Sequence, residues 1–331
     1  MLFPSIPKLD RRDLRAFSIL TLFFGFLGSL AIWGISNHVA KADRIKHVLE
    51  SKACPKCDLD GANLKEANLK RAELDDVTLR QADLRGANLH SAHLSRSILS
   101  AAELGKADLS NANLNEAILN QVNLDEADLS GADFSKAYLG DSSLRKADLS
   151  GTDLSEANLV RVSLTNANLR DADLGDVNLS RADLSATDLR RADLGGSDLG
   201  RAILAGANLG RANLPRATLN HANLVKTNLQ DANFGNAKLN NADLSAADLS
   251  RAYLGEADLI GTNLSGAILT GANFARADLK RANLSGANLS GVNLRRADLS
   301  GADLSGTDLS TANLCRTKMP NGETENRNCS S

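Results

Sequence analysis

At 331 residues the chain has room for roughly two or three ordinary domains, yet only 11 residues are aromatic and six of those precede residue 34. Several conventional cores are excluded; the 43% of hydrophobic residues is mostly Leu and Ala, which makes a thin, uniform interior. Lys plus Arg is 38 against 40 for Asp plus Glu, which excludes a generally basic nucleic-acid-binding protein, and five His with four Cys leave sparse catalytic and metal equipment.

Residues 1–15 form a basic tail with Lys8, Arg11, Arg12 and Arg15. Residues 16–35 then run for 20 positions without a charge, and a helix of that length reaches about 30 Å, the thickness of a bilayer's hydrocarbon core. A cleaved signal peptide would have a shorter apolar stretch ending at a small-x-small site. This stretch ends Ile32-Trp33-Gly34-Ile35, with Trp33 suited to the interface. The expectation is one uncleaved transmembrane helix at 16–35 in contact with membrane lipid. Four cations precede it and four (Lys41, Arg44, Lys46 and Lys52) come after it within about 20 residues; within about 15 residues the count is four against three, tipping the remainder to the exported side.

Residues 36–57 are read as a linker and capping helix. Ala42, Ile45, Val48 and Leu49 recur at i, i+3, i+6 and i+7, which predicts a short helix with one apolar face lying as a lid over the first coil of the repeats; a plain juxtamembrane linker is the alternative. The segment closes on Cys54-Pro55-Lys56-Cys57.

From Leu59 to Leu314 every fifth residue is Leu or Phe, 52 positions without a slip, of which three are Phe. Two residues before each stands a small residue, usually Ala, and one before it Asp or Asn dominates. A helix cannot use this period, because five residues advance about 500° and scatter the Leu around it. A flat strand fails too, since odd spacing sends alternate Leu to opposite faces. The period fits a chain that turns a corner every five residues, and four such sides close a coil of twenty. Phe134, Phe234 and Phe274 are separated by multiples of twenty and so share one interior column.

Over Asp58 to about Cys315 these units, of the form A(D/N)LXX, resemble the pentapeptide-repeat family. The resemblance implies an all-β solenoid, a right-handed quadrilateral β-helix of about 13 coils and on the order of 60 Å in length, filling 58–314. It places the Leu and the small residue inside and the other three residues of each unit in solvent. Asn or Asp before each Leu suits the turns, where short side chains bond nearby backbone.

Residues 315–331 leave the pattern and are read as the C-terminal cap and tail, with a turn at Asn321-Gly322. Cys54 and Cys57 lie at one end of the rod, Cys315 and Cys329 at the other. Half a zinc site is disfavoured because no second Cys pair or His cluster is near, and a redox site because no βαβ pattern surrounds the CxxC. Local disulfides at each end are expected, with reduced cap-filling cysteines as the alternative. Disulfides favour export, as does resemblance to membrane-anchored, cyanobacterial-type family members with a CxxC before the first repeat. The expected localisation is therefore a single-pass membrane protein with its rod in the periplasm or thylakoid lumen.

No motif for catalysis accompanies His90, His93 or His221, and Ser110, Ser130, Ser150 and Ser180 recur as repeat positions with exposed hydroxyls; no enzymatic activity and no cofactor are expected. Some family members are DNA mimics acting on gyrase. Residues 58–314, however, carry 34 acidic and 26 basic side chains, whereas 60 Å of duplex carries about 35 charges, and Arg161, Arg181 and Arg201 interrupt one face. Nucleic acid is not expected as a partner, and DNA mimicry stands as the alternative to a membrane-tethered scaffold for an unidentified protein. Resemblance adds a third reading, an accessory role in envelope or thylakoid transport and assembly. One surface feature stands out. At the outward position before Leu, Ile98, Ile118 and Tyr138 replace Asp or Asn at twenty-residue spacing, with Thr78 continuing the line. Like residues stacked to cover one another explain this; so does a partner-contact ladder.

Overall fold

The computed structural model describes residues 41–329. Helix α1 covers 41–51, and from residue 53 onward the chain winds as a solenoid in which the outward residue before a Leu pairs in parallel with the residue twenty further on, as Asp58 does with Thr78 and Thr78 with Ile98, the pair Asn288 and Asp308 excepted. The unit Ala82–Gly86 shows why the sequence coils this way. Ala82 N–H closes a turn on Leu79 O at 3.1 Å, and Asp83 N–H reaches back to Ala62 O. Leu84 and Gly86 donate forward to the carbonyls of Glu103 and Gly105. The fifth N–H, of Arg85, has no backbone partner and is taken by the Asp83 carboxylate at 3.2 Å. All five donors of the unit are thus used, and the recurrent Asx residue is the side chain that completes the set.

Each turn requires its third residue to be left-handed, the mark of a type II turn. Gly61 meets this with φ +60, but so do Glu66, Arg181 and Ala186 at φ 57, 60 and 55. A side chain there is strained by about 1–2 kcal/mol, accepted because the same residue's N–H bonds the next coil. From Lys56 to Arg316 one residue in this register lacks a positive φ, and that residue, Thr311, is also the one β-branched residue in it. The turn still closes, Ala312 N–H to Leu309 O at 3.2 Å, but the corner loses its regular bonds to the coil before it. Gly291 N–H bonds Thr311 Oγ1 at 3.0 Å in place of a carbonyl, and Leu304 and Leu309 are only partly buried. Replacing Thr311 with Asn, a residue the same register holds at Asn111 with φ 56, is expected to restore the left-handed corner and add about 1 kcal/mol. Slower hydrogen exchange at Gly291 and a raised melting temperature would register the repair; an unchanged Gly291 rate would contradict it.

The interior is Leu and Ala, with Phe134, Phe234 and Phe274 buried in one column. Where Ser or Thr replaces Ala, the hydroxyl donates to a Leu carbonyl: Ser97 to Leu94 at 2.6 Å and Thr187 to Leu164 at 2.8 Å. These interior hydroxyls are therefore matched, while Asp258 Oδ1 is buried without a hydrogen-bond partner.

At the first coil Val48 of α1 is fully buried and Ile45 packs beside it, while Lys41 Nζ and Arg44 Nε donate to the carbonyls of Asp60 and Asp58. The four-residue apolar face is thereby corrected: Ala42 is exposed and Leu49 is 41% exposed, because the helix rests on the rod along two residues and is fastened by its cations. At the other end β1 (Thr317–Lys318) pairs antiparallel with β2 (Thr324–Glu325), folding the tail back over the last coils. Cys54 is joined to Cys57, and Cys315 to Cys329.

The membrane expectation needs correction. Among the described residues no helix is long and apolar enough to cross a membrane. Helix α1, over 41–51, reaches only about 16 Å and carries Lys41, Asp43, Arg44, Lys46 and Glu50. The single-pass localisation is thereby left without support; residues 16–35, to which the span and its lipid contact were assigned, lie outside the described residues.

Candidate interaction surface

Short sides and tight corners leave the rod no enclosed pocket among its described residues, so any site is built on its outside. Among those residues no group of three or more His, Cys, Asp or Glu is placed to hold a metal ion. One constellation imitates a catalytic set. His90 Nδ1 lies 2.8 Å from Ser110 Oγ, and Ser110 Oγ donates to Asp108 Oδ1. The order is wrong for nucleophile activation, since the serine stands between the other two and spends its proton on the carboxylate, leaving the imidazole as donor. The contact buries Ser110, which corrects its expected exposure. Sequence reading missed this pairing, although twenty-residue spacing places His90 directly beside Ser110.

Many charges on the rod are consumed by local pairs. Arg96 meets Asp76 at 2.9 Å, Arg161 meets Asp141 at 2.6 Å and Arg251 meets Asp231 at 2.7 Å, each one coil apart. These guanidinium hydrogen bonds hold the three carboxyls below the usual Asp range. Asp83 is pulled down to about 2, first by the Arg85 side chain and then by its backbone N–H. Such exposed pairs are structural ornaments of the coil and contribute little each.

The apolar ladder is brought together as its spacing requires. Thr78, Ile98, Ile118 and Tyr138 form consecutive parallel bridges, which sets their side chains about 4.8 Å apart on one face. Ile98 and Ile118 shield each other and are half-buried, while Tyr138 at the upper edge is 50% exposed. The remaining apolar residues of this class stand singly: Ile203 bridges to Asp183 and Asn223, and Ile268 to Asp248 and Asn288. Tyr253 is 45% exposed but differs again, for its ring lies against Gly235 and Gly255, where a Cβ would collide with it. Tyr138 has no such seat at Gly140, whose near neighbours are Asn120 and the Val160 carbonyl. The contiguous apolar surface is therefore confined to the 98–138 stretch.

The chain matches two family models: "Pentapeptide repeats", at residues 57–96, 192–231, 227–266, 247–286 and 277–315, and "Pentapeptide repeat region", at 117–204. No curated protein matches it. Among solved structures it is similar to HetL, a pentapeptide repeat protein involved in heterocyst differentiation regulation from the cyanobacterium Nostoc sp. strain PCC 7120. The identity is 35% over 69% of this chain and 91% of HetL, with a TM-score of 0.27. It is also similar to Rfr23 from the cyanobacterium Cyanothece 51142, with 31% identity over 39% of this chain and 86% of that one and a TM-score of 0.19. QnrB1, a plasmid-mediated fluoroquinolone resistance protein, is 22% identical over 55% of this chain and 88% of its own, with a TM-score of 0.30. The repeats, rather than whole-rod superposition, carry the assignment, and the two family models together span well over half of the sequence. The chain belongs to the pentapeptide-repeat family.

Proposed function

We propose that the chain is a non-enzymatic protein-interaction scaffold: a right-handed quadrilateral rod of about 13 coils, from 52 units at four to the coil, that presents a contact surface to an unidentified protein. Pentapeptide-repeat proteins are generally structural or interaction proteins, which supports this reading. The observation that carries it is the Ile98–Ile118–Tyr138 ladder, an apolar strip on a rod whose corresponding positions are otherwise overwhelmingly Asp or Asn. Exposed aromatic and aliphatic groups of this kind anchor protein contacts.

With the full-length chain as bait, Ile98→Asp combined with Ile118→Asn is expected to abolish partner capture while leaving the circular dichroism and melting temperature nearly unchanged, because neither side chain enters the interior. Undiminished recovery from that variant would give the ladder a purely structural role.

A further inference from the structure

Some corner cations on the rod are neutralised within their own column and others are not. Several cations at the third residue of a turn take a carboxylate from their own column one coil away: Arg96 from Asp76, Arg191 from Asp171, Arg251 from Asp231 and Arg276 from Glu256. In the column through residue 161, Asp141 is followed by Arg161, Arg181, Arg201 and His221 at twenty-residue steps, and all four basic side chains are exposed. Both Asp141 oxygens are held by Arg161. Among the described residues Arg181 and Arg201 have no ion-pair partner within reach. The nearby Asp183 accepts from Ser185, and Asp198 accepts from Gly200 N–H. Cations stacked at about 4.8 Å repel one another, and an arriving anion relieves that repulsion.

The space between them is shaped for a chain. A groove of about 440 Å3 runs past Arg161, Arg181, Arg201 and His221, and its other lining residues, Val160, Ser180, Gly200 and Asn220, are small or neutral. It continues the apolar ladder: Tyr138 bridges to Asn158, and Val160 stands two residues further on at the corner. The column of Arg276, Arg296 and Arg316 also stacks cations, but it lies outside this groove.

We propose that Arg181 and Arg201, with His221 at the far end, bind the carboxylates of an acidic peptide segment of the partner protein. This rests on the interaction-scaffold reading and names the chemistry of the partner. Two uncompensated guanidinium groups in a short groove suit a few carboxylates, each able to accept two parallel N–H bonds. A long nucleic acid is disfavoured, because 34 acidic against 26 basic side chains over residues 58–314 repel a polyanion that extends beyond the seam.

The test is fluorescence anisotropy of a dye-labelled oligoglutamate peptide titrated with the full-length protein at low salt. Arg181→Gln with Arg201→Gln is expected to weaken saturable binding by roughly tenfold or more. Gln fits the turn, since Gln81 and Gln121 hold the same register at φ 55 and 60, and the melting temperature should not fall once like charges are removed. Arg296→Gln with Arg316→Gln should leave the affinity within about twofold. Absence of saturable binding by the parent, or equal weakening in both double variants, would overturn the assignment. Tighter binding of a labelled oligothymidylate than of the peptide would overturn it in favour of a nucleic acid. Loss of capture by the Ile98/Ile118 variant is read with a cellular partner and without this peptide, so the scaffold reading stands or falls separately.

Discussion

Leu184→Lys is expected to collapse the coils around it, with a loss of at least about 3–5 kcal/mol, whereas Arg181→Ala, three residues away, should change stability by no more than about 0.5 kcal/mol. Leu184 has no exposed surface, and its N–H and carbonyl already serve Ile203 and Thr187. An ammonium in that column would meet only Leu and Ala and would have to lose its proton or push its way out, opening neighbouring coils either way. Arg181 points into solvent at φ 60, a conformation Ala already adopts at Ala101, Ala186 and Ala246. Thermal melts of the two variants decide the matter, and equal losses would mean that the inward and outward assignments are wrong.

Cys329→Ser is expected to loosen the C-terminal end by up to about 3 kcal/mol, the chain-entropy value for a closed loop of about 15 residues. The bond from Cys315 to Cys329 spans 14 positions and holds the tail that covers Met319 and the buried Thr317. Damage should travel inward, because each coil supports only its neighbours and the corner at Thr311 already lacks its regular bonds to the preceding coil. Hydrogen exchange would show it as faster exchange at Leu294 and Leu299, with the middle of the rod unaffected. Unchanged protection there would mean that packing alone holds the cap. The bond from Cys54 to Cys57 closes a loop of separation 3 and should matter less.

The solenoid was readable because a single constraint repeats in every unit. Leu and Ala must point inward from each five-residue side, so period and coil size follow from spacing, and the same arithmetic puts the three Phe in one column and Ile98 beside Ile118. Pairing of the Asx side chains with turn N–H groups was likewise legible from residue type. What escaped depended on docking and on backbone angle. The apolar face of α1 is real, but how a helix meets the rod is set by tertiary contact, and Leu49 was left outside. The irregular corner at Thr311 had a signal in the sequence, a lone β-branched residue in a register of Gly and unbranched residues, which becomes meaningful only once that register is known to be left-handed. The break in charge pairing at Arg181 also needed the coil, because its missing partner is a residue twenty positions away.

The central claim is that a protein seats on the 98–138 ladder, and site-specific photocrosslinking tests it most directly. A photoreactive phenylalanine analogue placed at Tyr138 in the full-length chain should yield one discrete adduct that disappears with Ile98→Asp and Ile118→Asn, while the same group at Tyr253, packed on its glycines, should yield none. Adducts of equal intensity at the two positions, or an adduct at 138 that survives the double substitution, would contradict the account.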